Sequence, residues 1–419
     1  MKSMNRRNFV KSTTAFGALS ALSYSRVLGA NERINVAVIG VHGRGRNHIK
    51  SFDSIKGVSV VALCDVDKNV LDLESANFAK PVVKYGDYRE LVQDKEIDVI
   101  SIASPDHWHV PMAAHAILAG KDVYIEKPLS HTIEEGRYLA DLAKREKKIV
   151  QHGTQAKSLQ SCRNAVRYMQ SGELGKIRLA KAINHQLRKP IGREPDADVP
   201  AGVDYDLWLG PAPLRPFTAN RFHYNWHWFW DYGCGDIGND GIHQIDIARW
   251  GLEVGFPRAV MSSGGQLFYN DDHETPDTQT AVFEFDDTAI IYEMRLWTDY
   301  KLEGHDNGNI FYGDNGTLSM GREGWRVTFK DGSAGPFEPR GPHNHYENFI
   351  EALRNDNPGL LNADVLEGHI SSALCHMGNI SMRVEQRLEF DADRERFVNS
   401  PEANGMLAKA YRKGYELPQ

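Results

Sequence analysis

Between residues 34 and 150, short apolar runs alternate with amphipathic segments. The runs at 34–39, 58–64, 97–103, 122–125 and 148–151 have strand length and are rich in Val and Ile. The segments at 44–54, 67–78, 87–93, 109–119 and 132–146 show helical spacing. Apolar strands separated by helices predict a doubly wound parallel sheet. From about residue 177 to 335 the pattern changes. Apolar and polar positions alternate, as in Thr280-Ala-Val-Phe-Glu-Phe285 and Ala289-Ile-Ile-Tyr-Glu-Met-Arg-Leu296. That period predicts an antiparallel sheet with one covered face. Helical spacing returns at 240–250, 343–355 and 364–382, and the Pro- and Gly-punctuated stretch 186–205 reads as a long surface loop.

The first apolar run ends in Gly40, Gly43 and Gly45, with His42 where a dinucleotide turn commonly has its middle glycine. Glycines at this point let a backbone approach a pyrophosphate, and the helix that follows turns its N-terminus toward the negative charge. Asp65 stands twenty residues beyond Gly45, after the second run. A carboxylate at that offset accepts both hydroxyls of the adenosine ribose and repels a 2′-phosphate, which predicts NAD over NADP. Arg44 and Arg46 near the turn weigh against that preference.

The composition is that of a globular protein: 419 residues, 41% hydrophobic and 25% charged, with a net charge of −7. No basic patch points to nucleic acid, and no apolar run reaches the length of a membrane span. The four cysteines are scattered without metal-ligand spacing. His343 and His345 sit two apart and would diverge on a helix, so no metal is expected there. Residues 1–30 differ from the rest. Arg6-Arg7-Asn8-Phe9-Val10-Lys11 precedes an apolar run of small residues, the form of a twin-arginine export signal. The expected location is periplasmic.

Four motifs are specific only in combination: Gly40…Gly45, Ser104-Pro105…His109, Glu126-Lys127-Pro128, and Gly241-Ile-His243-Gln-Ile-Asp246. Together they make residues 33–390 resemble the glucose–fructose oxidoreductase, inositol dehydrogenase and rhizopine-catabolism family (Gfo/Idh/MocA). The resemblance implies an α/β fold: an N-terminal Rossmann doubly wound parallel sheet, then a C-terminal α/β domain with a large open antiparallel sheet. The expected divisions are a signal at 1–30, an NAD-binding domain at 31–155, a substrate and oligomerisation domain at 156–390, and a tail at 391–419 packing back on the body. It also implies a homo-oligomer, dimer or tetramer, formed through the open sheet.

The resemblance implies that Lys127 holds the reacting hydroxyl near the nicotinamide and that His243 is the acid/base. An Asp commonly stands four residues before that histidine; here the position is Asn239, followed by Asp240, and either Asp240 substitutes or the relay differs. Gly40, His42, Gly43, Arg44, Gly45, Asp65, Ser104, Pro105, His109, Glu126 and Lys127 are the expected cofactor contacts. The aromatic stretch His223–Trp230 reads either as domain core or as the wall of a carbohydrate pocket, with Tyr224, Trp226 and His227 its candidates. Gln155, Asn239 and His243 are further candidate substrate contacts, and Gln151 and His152 are expected to face the same site. The expected activity is NAD-dependent oxidation of a small-molecule carbohydrate hydroxyl. An alternative uses the same groups for net glycoside hydrolysis, through transient oxidation, elimination, water addition and re-reduction.

Overall fold

The computed structural model describes residues 33–418. The export-signal reading of residues 1–30 lies outside them. Six strands, β1 (Ile34–Ile39), β2 (Val58–Cys64), β3 (Val83–Tyr85), β4 (Val99–Ile102), β5 (Asp122–Ile125) and β6 (Val150–His152), form a parallel sheet in the order β3-β2-β1-β4-β5-β6. The order reverses between β1 and β4, and ligands in such sheets bind outside the carboxyl ends of the strands at that point. β1 is apolar because helices cover both of its faces; Val36, Ala37, Val38 and Ile39 are all buried. β3 was not foreseen. It is a three-residue edge strand with exposed residues, too short to leave a pattern.

The second sheet has ten strands: β7 (Ile177–His185), β8 (Ala259–Gly265), β9 (Thr278–Glu284), β10 (Ala289–Arg295), β11 (Asn307–Gly313), β12 (Gly316–Gly321), β13 (Gly324–Phe329), β14 (Ala334–Pro339), β15 (Leu388–Asp391) and β16 (Arg396–Phe397). Their order is β14-β13-β12-β11-β7-β10-β9-β8-β15-β16. The sheet is mixed and not wholly antiparallel, because β7 and β10 run parallel. A long excursion separates β7 from β8, and the chain then returns through β8 and β9 to lay β10 beside β7. Alternating residues such as Phe283, Tyr292 and Met294 are buried under helices, while Met261 on the opposite face is exposed and Ile291 half-buried.

Two late helices join the layers. Tyr346, Phe349 and Ile350 of His345–Arg354 pack into the Rossmann core with Phe52 and Tyr124. The helix Val365–Arg383 lies between the helix Ile133–Arg145 and strand β8. The C-terminal segment returns to the first domain, where Tyr415 and Leu417 pack against its core and Tyr138 donates its hydroxyl to the Pro418 carbonyl.

The helix Asp106–Leu118 begins three residues before its expected start, directly after Pro105. It contains Pro111, whose ring nitrogen cannot donate to the carbonyl one turn back. That carbonyl, His107 O, instead accepts from Lys409 Nζ at 3.2 Å. The tail thus completes a helix that the sequence pattern places later.

Candidate functional site

A cavity of about 400 Å³ opens at the carboxyl ends of β1, β2, β4 and β5. One wall is backbone. Gly40 has φ +78°, and a Cβ there would meet the Ala103 carbonyl at 2.6 Å; a Cβ on Gly45 would lie 1.8 Å from Gly40 O. Only glycine lets this turn pass so close under the next strand. The helix Arg44–Asp53 then starts at Gly43 with no side-chain cap and no acid in its first turn, which leaves its N-terminus suited to an anion.

Asp65 lies at the end of β2 on the same wall. Its Oδ2 accepts from Val41 N at 2.9 Å and its Oδ1 from Asp67 N at 3.0 Å. Burial pushes its carboxyl up from the ordinary value, and the two amides act against that rise. Both nearby arginines already face a carboxylate: Arg46 Nε pairs with Glu74 at 2.6 Å and Arg44 Nε with Glu126 at 2.7 Å. His42 projects from the turn and its ring meets that of His223 with centroids 4.8 Å apart. His223 Nε2 is in turn 3.0 Å from Asp67 Oδ2. The aromatic stretch is therefore tied across the turn.

Ser104 and Pro105 line the floor. His109 is buried beneath them, its Nδ1 2.6 Å from Pro128 O and its Nε2 2.9 Å from Ser104 O. Its ring lies between the Ser104–Pro105 turn and the Lys127–Pro128 turn; burial lowers its pKa to about 4, and the neutral ring donates to one of the two carbonyls. Glu126 is buried as well. Besides Arg44 it receives His48 Nε2 at 3.0 Å, Gln155 Nε2 at 3.2 Å and the Lys127 amide at 3.1 Å. Burial opposes its charge, yet Arg44 and His48 hold the carboxyl well below its ordinary range.

The opposite wall belongs to the second domain. Lys127 Nζ donates to Asn239 Oδ1 at 3.1 Å, and Asn239 Nδ2 donates to Asp236 Oδ1 at 2.9 Å. Asp236 is fully buried and also accepts from Asn184 Nδ2 at 2.8 Å and Arg188 at 3.1 Å. Ile237–Gly241 forms a π-turn ahead of the helix Ile242–Leu252. Asn239 and His243, four residues apart, both line this cavity. Burial, then the Lys127 charge, lowers the His243 pKa to about 4, so the ring is neutral near pH 7. Tyr224, Trp226 and His227 also line the cavity; the Trp226 and His227 rings stack with centroids 3.6 Å apart.

Three residues stand elsewhere than expected. Asp240 does not line this cavity; its Oδ2 accepts from Asn307 Nδ2 at 2.6 Å in an adjoining one. Gln151 and His152 are fully buried away from both cavities, Gln151 donating to His345 O at 2.7 Å. His345 is a structural tie, bonding Ser158 Oγ at 2.6 Å and His152 O at 2.9 Å.

Sequence reasoning missed Asp106 and Asp236. Asp106 lines the cavity but is almost fully buried and accepts from Cys234 Sγ at 3.2 Å; burial raises its pKa to about 7. Its place after Pro105, as the first residue of a helix, was the available signal. Asp236 gave no sequence signal, since its partners Asn184 and Arg188 lie 52 and 48 residues away along the chain.

Residues 34–154 match the model described as an oxidoreductase family, NAD-binding Rossmann fold, and residues 189–289 and 313–417 match that family's C-terminal alpha/beta domain. The chain belongs to the Gfo/Idh/MocA oxidoreductase family. Its cofactor is NAD(H), and the open helix N-terminus, the close glycine turn and Asp65 fit that dinucleotide. Among relatives, a glycosyl hydrolase family 109 protein of Shewanella sp. strain W3-18-1 is 37% identical over 123 residues, 27% of either chain. One from Shewanella baltica strain OS185 is 33% identical over 177 residues, 35% of this chain and 39% of its own. The chain thus matches less than half the length of these curated relatives. Among solved structures, the WlbA dehydrogenase of Bordetella pertussis, in complex with NADH and UDP-GlcNAcA, has a TM-score of 0.67 at 18% identity, covering 86% of this chain and 100% of its own. A levoglucosan dehydrogenase in complex with NADH has the same TM-score and identity, with 85% and 99% covered. At these identities the likeness is one of fold.

Proposed function

We propose that this Gfo/Idh/MocA protein acts on a carbohydrate, oxidising a hydroxyl-bearing carbon of a sugar or glycoside. The observation that carries the reading is the placement of Lys127 and His243 in the cavity that holds the glycine turn and Asp65. NAD, when bound, supplies the hydride acceptor, and in a hydrolytic cycle it returns the same hydride. Asp65 and the Gly40–Gly45 turn would hold the dinucleotide, together with Ser104, Pro105 and Glu126, which line the same cavity.

Lys127 presents its ammonium to the reacting oxygen and stabilises the negative charge that grows there as the proton leaves. His243 takes that proton, and its neutral ring at pH 7 is the form a base requires. No hydrogen bond to another described residue engages the His243 ring, so its nitrogens are available to substrate. Asn239 orients Lys127, and Asp236 fixes which end of the Asn239 amide faces the lysine. In this reading Asn239 is a positioning residue, and no carboxylate relay runs through Asp240. Tyr224, Trp226 and the Trp226–His227 stack offer apolar faces to sugar C–H groups, with Gln155 as a polar contact.

The family 109 relatives favour a second reading, net glycoside hydrolysis with no net oxidation. The twin-arginine-like segment supports it further, because an exported enzyme meets no free NAD pool and must restore its cofactor in each cycle. We propose export to the periplasm with NAD already bound, and assembly through the exposed face of the ten-stranded sheet. Export is tested by fractionation of cells carrying Arg6→Lys/Arg7→Lys, and assembly by light scattering of the purified protein.

The protein, purified without added cofactor, is offered aryl glycosides and free sugars. Aglycone release without added NAD supports the hydrolytic reading; net NADH from free sugars supports the dehydrogenase. Either activity surviving unchanged in Lys127→Ala contradicts the assignment of this site.

A further inference from the structure

A second cavity of about 420 Å³ adjoins the first, with Arg44, Gln155 and His243 in the walls of both. It lies between the helix Ile242–Leu252 and the edge half of the large sheet, over β11, β12 and β13. Lys127 does not reach it. His243 therefore stands where one cavity opens into the other.

Three features of this cavity point to a ligand. Gln244 is only 5% exposed, donates Nε2 to Asn307 at 2.8 Å, and keeps Oε1 without any partner. A buried acceptor left bare is costly, and a hydroxyl or N–H from a ligand removes that cost. Trp325 and Met320, each 5% exposed, give an apolar floor of the kind that receives a sugar's C–H face. The rim is cationic: Arg44, Arg322 and Arg340 line it against one carboxylate, Asp240, which already accepts from Asn307. Arg44 is held by Glu126, and Arg322 by Asp306 at 3.2 Å. Among the described residues the Arg340 guanidinium pairs with no carboxylate.

We propose that this second cavity is a subsite for the part of the substrate beyond the oxidised ring, and that it takes a glycosyl unit bearing an anionic group. A planar guanidinium binds a carboxylate, sulfate or phosphate through paired N–H donors, and Arg340 is the group that does so here. Gln244 Oε1 accepts a hydroxyl of the same unit, and Trp325 carries its apolar face. The inference rests on the carbohydrate reading above, with the reacting carbon at Lys127 and His243.

The test is calorimetric binding of matched disaccharides to the NAD-loaded protein: one neutral, and one each carrying a carboxylate, a sulfate or a phosphate on the second ring. At least one anionic member is expected to bind ten-fold or more tightly than the neutral one, with a preference that weakens as salt rises. The three arms identify which anion is favoured. Arg340→Gln, at an exposed position, is expected to abolish that preference and leave NAD binding and monosaccharide turnover unchanged. Trp325→Leu is expected to weaken every disaccharide alike. Equal binding of neutral and anionic members, or a preference that survives in Arg340→Gln, overturns the proposal. Absence of sugar turnover in the wild-type protein counts against the carbohydrate reading instead, and the binding preference is read independently of it.

Discussion

The two walls of the main cavity are built in opposite ways. On the dinucleotide side, backbone does the work: Gly40 and Gly45 let one turn pass beneath the next strand, and an uncapped helix follows. On the substrate side a chain of side chains does it, running Lys127, Asn239, Asp236 and Arg188 across elements distant in sequence. The first wall tolerates almost no change at its glycines. The second is adjustable, because each link is a single hydrogen bond.

Gly45→Ala gives the largest effect. Its Cβ would overlap Gly40 O, so the turn must open, and loss of NAD binding in fluorescence titration is expected. A Gly45→Ala protein that binds NAD normally breaks the account of the backbone wall. On the other wall, Lys127→Ala is expected to lower kcat by roughly 10²–10³-fold while NAD affinity holds, since an electrostatic group at the reacting oxygen is lost.

Asn239→Leu strikes the link behind it. It leaves buried Asp236 short of one donor and Lys127 without its acceptor, and about a ten-fold fall in kcat with little change in KM is expected, of the order of one lost hydrogen bond to a charged group. Asn239→Gln should recover part of it. If Asp240→Asn costs more than Asn239→Leu, the assignment of the relay is reversed.

The pH dependence separates a half-buried base from a buried acid. For His243 the folded value of about 4 lies below the ordinary 6.5. Below 6.5 the unfolded chain takes up a proton that the folded ring refuses, so this contribution to stability is complete above 6.5 and falls as pH drops toward 4. Activity should likewise persist below the ordinary histidine range and fail as pH nears 4. Asp106 has the opposite sign. Its folded value of about 7 exceeds the ordinary 3.8, so the folded state binds the extra proton and stability declines as pH rises from 3.8 to 7. Asp106→Asn should raise Tm at pH 8 and change it less at pH 5, the smallest effect in the series.

The same division decides what the chain's sequence reveals. Gly40, Gly45, Asp65 and the Glu126-Lys127-Pro128 turn are legible because each follows a strand directly and local backbone sets its position. The strand pattern is legible for the same reason, since burial on both faces writes an apolar run. The substrate wall is not. Asp240 faces the second cavity because a π-turn precedes the helix, and no spacing rule anticipates that inserted residue. Gln151 and His152 belong to the last Rossmann strand, β6, and the helix His345–Arg354 covers them. Arg44 and Arg46 are basic residues beside a phosphate-binding turn, yet tertiary contacts with Glu126 and Glu74 engage them.

The most direct test of the central claim, that the two walls meet to oxidise a sugar carbon, is rapid mixing of the NAD-loaded protein with sugars and aryl glycosides while the absorbance of reduced nicotinamide is followed. The account predicts a reduced-nicotinamide signal with the wild-type protein, lasting for a dehydrogenase and transient for a hydrolase, and one formed roughly 10²–10³-fold more slowly with Lys127→Ala. Product formed by the wild-type protein without that signal, or an equal signal from Lys127→Ala, would contradict it.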